Sequence, residues 1–164
     1  MSDDGVGFDP LAEARRQWLA QDLEEPLSMY AAISIIHAHQ VVSTAIDRAL
    51  KPLGLTFARY EVLMLLSFTR TGALPITKVG ERLLVHPTGI TKLVDKLEAH
   101  DLVHREANPD DRRGTLARIT PKGRELGRRA ASVLAEMRFG TDLPDEQLEA
   151  LVELLRHLRS DLVK

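Results

Sequence analysis

Apolar positions along the chain recur at the helical interval of three and four nearly throughout, with one stretch past the middle where that period is lost. Asp9-Pro10 has the form of a helix start, because Asp can cap free amides and Pro fits the first turn. It predicts a helix from Pro10 to about Ala20, ended by Glu24-Glu25-Pro26. Ile35, Val42, Ile46 and Ala49 then recur at helical spacing and predict a long helix from about Ser28 to Leu50, stopped by Lys51-Pro52-Leu53-Gly54. Thr56 can cap the next helix, which runs to about Phe68 and is apolar nearly all round, as a central buried helix would be. Thr69 to Gly72 reads as a loop and Leu74-Pro75-Ile76 as a short extended piece. Thr77 is expected to cap a brief helix to Leu84, Val85-His86 to turn, and Pro87 to open a helix to about His100.

Then the period changes. Leu102 to Asn108 and Leu116 to Ile119 can each form a strand, around a tight polar tip from Pro109 to Gly114, so a hairpin is expected. Thr120-Pro121 opens a long helix to Phe139, closed by Gly140. A last helix starts near Pro144. Its Leu148, Leu151, Leu155, Leu158 and Leu162 form a seam for a partner helix. On so small a domain a terminal seam points to a second copy of the chain, with an internal partner helix as the alternative.

Composition narrows the picture. Among 164 residues, 44% are hydrophobic, enough for a real core, while 4% aromatic content with 10 Gly and 8 Pro favours helices over a turn-rich sandwich. The absence of cysteine excludes disulfides, Cys-ligated zinc and thiol switches. No continuous apolar run reaches the roughly 18 residues that span a bilayer. Met1 to Asp9 is acidic and lacks a signal-peptide pattern, so the cytoplasm is the expected compartment and no membrane partner is expected. The net charge of −2 hides an asymmetry: Thr77 to Arg129 holds 12 Lys or Arg against 8 Asp or Glu, a surplus of +4 over a remainder of −6. A basic middle between acidic ends fits a DNA reader with a separate dimerisation layer.

Two short helices joined by a tight turn, then a hairpin with a basic tip, make the plan of a winged helix-turn-helix. The second helix of such a pair lies in the major groove with its N-terminal residues toward the base edges. Here those residues are Pro87, Thr88, Gly89, Thr91 and Lys92; Ile90, Leu93 and Leu97 fall on the opposite, inward face. Thr reaches either base type or a thymine methyl, Lys92 guanine acceptors or phosphate, and Gly89 lets the backbone come close. Thr77, Lys78, His86, Lys96 and Arg118 are the expected phosphate contacts. At the tip, Arg112 and Arg113 are candidates for the minor groove, where arginine meets strong negative potential, with Asp110 or Asp111 pairing and aiming one of them. Arg113 is favoured for insertion because Gly114 follows it. Taken singly, Arg112-Arg113 reads as an ordinary solvated turn and Pro87-Thr88 as an ordinary helix start; their order and spacing together point to DNA.

Leu53-Gly54-Leu55-Thr56, Tyr60-Glu61-Val62-Leu63, Thr91-Lys92-Leu93-Val94-Asp95-Lys96-Leu97-Glu98, Leu102-Val103-His104-Arg105, Asp110-Asp111-Arg112-Arg113 and Leu116 to Arg124 occur in the order of the MarR signature. The chain resembles that family over about Leu53 to Arg124. The resemblance implies a mainly α fold with a small β-hairpin wing, residues 53–120 forming the winged helix-turn-helix and residues 10–52 and 121–164 a helical dimerisation layer of one domain. It also implies a homodimer, a pseudopalindromic operator and ligand-controlled repression. Two positions depart from the pattern. Asp101 stands where Gly is common, in a left-handed position that Asp tolerates better than most residues. Gly80 stands where Ala is usual, at a helix-propensity cost of roughly 1 kcal/mol.

The extension carrying Arg15-Arg16-Gln17-Trp18 is similar to that of the family's urate-responsive branch, which implies a pocket for a small aromatic or anionic ligand. Trp18 and Arg105 match that branch, Glu61 replaces an aspartate, and Lys92 replaces an arginine whose bidentate fork lysine lacks. The alternative role for Trp18 is to pack the extra helix onto the core. His37 and His39 are two apart on a helix and point away from each other, so they cannot chelate together. No metal or cofactor is expected. No phosphate loop, nucleophile elbow or paired-histidine motif marks an enzyme.

Overall fold

The computed structural model describes residues 9–21, 27–109 and 111–162, with the backbone alone of Arg112, Arg113, Asp161 and Leu162. The chain falls into two compact units, 1–44 and 45–164, whose boundary lies inside the second helix.

In the N-terminal unit, α1 spans Pro10–Leu19 and α2 begins at Leu27 and runs to Leu50. The Asp9 carboxylate accepts from the Leu11 amide at 2.9 Å, the cap that Asp9-Pro10 predicts. Ile35, Ile36 and Val41 of α2 are exposed. Leu27–Leu53 is long and apolar enough, by length and composition, to cross a membrane, with a mean hydropathy of 1.2 in its most apolar window. Counting continuous runs misses this because His37, His39 and Gln40 interrupt the stretch without lowering its average far.

The larger unit continues through α3 (Phe57–Phe68), β1 (Ala73–Pro75), α4 (Ile76–Leu83), α5 (Pro87–Glu98), β2 (Val103–Asn108), β3 (Asp111–Ile119), α6 (Pro121–Glu136) and α7 (Asp145–Leu162). Thr56 accepts from the Arg59 amide, and Asp47 adds a second cap by accepting from the Phe57 amide at 2.7 Å. Val62, Leu63 and Leu66 place α3 in the core, against α4, α5, α6 and β3. Thr120 caps α6 through the Gly123 amide at 2.9 Å. Gly123, Gly127, Ala130 and Leu134 form the buried stripe of α6, and Gly127 lies against Leu63 and Met64 of α3.

Four expectations need correction. The hairpin is part of a three-stranded antiparallel sheet of order β1-β3-β2, because Ala73, Leu74 and Pro75 pair with Arg118, Ala117 and Leu116. That pairing delivers the chain directly into α4, so Pro75 occupies the cap position without a side-chain bond and Thr77 sits inside the first turn. The tip is shorter than expected: Asn108 pairs with Asp111, and Arg112 and Arg113 belong to β3. The register jumps between Ala107 (opposite Thr115) and Asn108, so residues 112–114 bulge out of the ladder. Finally, α6 ends at Glu136, and a 3-10 turn at Arg138–Gly140 follows in which Arg138, Phe139 and Gly140 all take positive φ.

Candidate nucleic-acid interface

The helix pair α4 and α5 is held by an apolar seam. Val79 of α4 and Ile90, Val94 and Leu97 of α5 are buried, with Leu93 half-buried. Close approach requires Gly80: a Cβ there would lie 3.1 Å from the Val85 carbonyl oxygen and 3.3 Å from Ile90. Gly89 has a packing role too, since a Cβ there would come within 3.0 Å of Val85 Cγ1. Between the helices the chain turns through Leu84, left-handed at φ 54 with its side chain 89% exposed.

Pro87, Thr88, Thr91, Lys92 and Lys96 are exposed on α5, as are Thr77, Lys78 and His86 before it. His86 caps α5: Nδ1 accepts from the Thr88 amide at 3.4 Å and lies 3.0 Å from the Thr88 hydroxyl. With Nδ1 accepting, the neutral ring carries its proton on Nε2, a donor at the helix start. The Thr91 hydroxyl donates to the Pro87 carbonyl at 3.1 Å, which leaves its oxygen able to accept. Lys78 is paired with Glu81 at 2.7 Å. Lys92 and Lys96 have no ion pair among the described residues.

The wing is braced by charge. Arg105 at the base of β2 binds Asp95 at 2.6 Å and also Glu98, both on α5, while Glu98 accepts from the Arg105 amide at 3.0 Å. Arg118 of β3 donates to Glu106 across the ladder at 2.6 Å and to the Thr71 carbonyl at 2.6 Å. His104 Nε2 lies 2.9 Å from the same Glu106 carboxylate. Arg118, and then His104, hold the Glu106 carboxyl down to about 2. Arg118 is therefore placed as a brace with two internal partners, a role its position as an expected phosphate contact did not suggest. The tip residue Asp110 lies outside the described residues, as do the side chains of Arg112 and Arg113. Asp111 is exposed, and a Cβ on Gly114 would meet its carboxylate at 2.9 Å.

A family profile described as MarR family matches residues 53–114. The regulator MhqR of Bacillus subtilis is 30% identical over 139 residues, 82% of this chain and 92% of that protein. The chain belongs to the MarR family. Among solved structures, Sco5413, a MarR family transcriptional regulator from Streptomyces coelicolor, matches with 45% identity and a TM-score of 0.79 over 84% of this chain and 96% of that one. Sco3205 from the same organism, solved in complex with DNA, matches with 28% identity and a TM-score of 0.75 over 85% and 88%. This MarR-family protein is thus a DNA-binding transcriptional regulator and not an enzyme.

Several signature residues of the regulator turn out to position α5. Lys122 donates to the His100 carbonyl at 2.8 Å, and the Thr120 hydroxyl to the Asp101 carbonyl at 2.7 Å. A side chain at Gly123 would run into the Leu102 carbonyl. Arg124 donates to the Ser67 carbonyl at 3.2 Å, closing the end of α3. Asp101 takes φ 56, the left-handed conformation its place in the pattern requires. The motifs contain these residues without revealing their roles. The Asp95, Glu98 and Arg105 bridge also went unforeseen, although two acids three apart on one helix face, followed by a strand arginine, offer a signal.

The three ligand candidates lie on three different elements. Trp18 lies on α1 in the N-terminal unit. Glu61 lines an apolar groove with Phe57, Tyr60, Met64, Phe68 and Phe139, where burial pushes its carboxyl pKa up. Arg105 is engaged by Asp95 and Glu98 and does not line that groove.

Proposed function

We propose that this regulator is a homodimeric, ligand-responsive repressor that lays α5 of each copy in the major groove of a pseudopalindromic operator. The observation that carries the reading is the two-sided character of α5. Ile90, Val94 and Leu97 are buried beneath it, while Thr88, Thr91 and Lys92 stand exposed at its N-terminal end. In this reading Thr88, Thr91 and Lys92 meet base edges, Pro87 and Gly89 bring the backbone close, and Thr77, Lys78, His86 and Lys96 hold phosphates. Arg118 serves the wing's shape. One of Arg112 and Arg113 enters the minor groove, Arg113 by preference, and Asp111 steadies the other. Residues 53–120 read DNA, and residues 10–52 and 121–164 dimerise.

Two exposed apolar stretches support the dimer. Ile36 and Val41 on α2, and Val152 and Leu154 on α7, are exposed, while Leu151 and Leu158 of the expected seam are 40% and 41% exposed. An isologous interface would bury such surface on both copies at once. The regulator acts where the chromosome is, in the cytoplasm, and its effector is a small aromatic or anionic molecule.

Footprinting on a genomic operator tests the reading. Two protected half-sites about 34–36 Å apart are expected, with a species of twice the 18.3 kDa chain mass in sedimentation. Thr88→Ala should relax preference at particular base pairs, and Arg113→Ala should weaken binding more than Arg112→Ala. A stable monomer, or unchanged binding of Thr88→Ala to every operator variant, refutes it.

A further inference from the structure

We infer that α5 reads amino groups: the bases that meet Thr88 and Thr91 on the contacted strand are adenine or cytosine, and His86 is the positioning residue that makes this so at Thr88. This rests on the proposed seat of α5 in the major groove and names the base edges it meets there. The reason is that two hydroxyl protons are already committed. A backbone amide can only donate, so the Thr88 amide, 3.4 Å from His86 Nδ1, fixes that nitrogen as an acceptor. The Thr88 hydroxyl lies 3.0 Å from the same nitrogen and is therefore the donor of that pair. One turn on, the Thr91 hydroxyl donates to the Pro87 carbonyl at 3.1 Å.

A hydroxyl has one proton and two lone pairs. With both protons bonded within the first turn, Thr88 and Thr91 offer a partner acceptors alone, and both residues are exposed. In the major groove adenine and cytosine carry an amino donor, whereas guanine and thymine present only acceptors. An acceptor set against guanine or thymine is repelled unless the hydroxyl turns round. Turning gives up a bond worth roughly two- to tenfold in an equilibrium. Lys92, exposed beside Thr91, is the complement: its ammonium only donates and so matches guanine. At Thr91 the internal acceptor is backbone and stays whatever the side chains are. At Thr88 it is the imidazole of His86, so one substitution can release the hydroxyl.

The probe is the footprinted operator with each base pair in turn made A·T in either orientation. That adenine is then replaced in both half-sites by 2′-deoxynebularine, which lacks the amino group. Full-length protein is titrated beside Thr88→Val and Thr91→Val, which keep a methyl and the branched shape and remove only the hydroxyl. At one position for each threonine, loss of the amino group should weaken the unaltered protein on the order of tenfold, because a change in both half-sites counts twice. It should cost the matching valine variant nothing. At the Thr88 position the unaltered protein should then reject guanine and thymine on that strand. His86→Ala should accept them, while His86→Asp, which still offers an acceptor, should reject them. A cap that served only helix stability would weaken every sequence alike. A base preference that depends on a threonine but not on the amino group overturns the inference and leaves the operator reading standing. So does a His86→Ala preference identical to that of the unaltered protein. If neither valine variant changes any base preference, both readings fall.

Discussion

The start of α5 and the base of the wing are both polar, yet they use their polar groups in opposite ways. At α5, Thr88 and Thr91 make only local bonds within the first turn, and Lys92 and Lys96 project without an ion pair among the described residues. At the wing, Arg105 and Arg118 each reach two internal partners, and His104 lies on the carboxylate that Arg118 already holds. Arginine, with its planar fork of donors, is suited to bridging two acceptors and so to bracing; lysine and threonine, with a point charge or a short hydroxyl, remain available to a partner. Residue type alone would have ranked Arg118 with the phosphate contacts. What separates the two regions is whether an acceptor from elsewhere in the chain is already in reach.

The sharpest way to break this comparison is to remove groups from each region and measure operator binding and folding side by side. Lys92→Ala or Thr88→Ala should each cost about 1–3 kcal/mol of operator binding, up to roughly a hundredfold, and change stability by less than about 0.5 kcal/mol. A lowered thermal midpoint with unchanged binding would reverse their assignment. Gly123→Ala should do the opposite. It forces backbone apart between α6 and the turn after α5, at a cost of about 2–3 kcal/mol in stability, while the pattern of base preferences measured on well-folded protein stays the same.

Smaller in size but more discriminating is the salt dependence. Lys96→Ala should flatten the slope of log affinity against log salt by about one unit, whereas Arg118→Ala should leave that slope unchanged. Equal flattening would mean that Arg118 reaches phosphate in the complex. Leu84 offers a gain: its left-handed φ of 54 is strained for leucine and its side chain is 89% exposed. Leu84→Gly should stabilise the fold by about 1 kcal/mol, a rise of about 2–4 °C in thermal midpoint. A fall would mean that the exposed leucine has an apolar partner.

The smallest effect is that of acid on the wing. The Glu106 carboxyl is held at about 2, below its ordinary 4.5, so its contribution is complete above about 4.5 and disappears as pH falls through about 2. The midpoint advantage of the unaltered protein over Glu106→Gln should shrink over that window and be constant above it. An advantage independent of pH would show that the Arg118 bond does not depend on the carboxylate charge.

Some of these features are legible in the order of residues alone and others are not. The caps at Asp9, Thr56 and Thr120 and the buried stripe of α5 are readable because each depends on residues within one or two turns. The place of β1 is not. Three residues, Ala73–Pro75, show no alternation worth the name, and they form a strand only because β3 is there to pair with them. Thr77 resembles a cap but is none for the same reason, since the sheet sets where α4 begins. The extent of the wing tip is hidden too, because a bulge at residues 112–114 follows from strand register, a relation between two segments.

The sequence by itself determined the helix-turn-helix, the identity of the exposed groups on α5 and the membership of the family, since periodicity, capping and short motifs are written locally. Only the tertiary structure decided which charged groups are spent inside. Arg118 and the Thr71 carbonyl are 47 positions apart, and Arg105 and Asp95 are 10 apart with the α5–β2 turn between them. Such partners meet only when burial of the shared core has fixed helix against sheet, and that burial is a property of the whole unit.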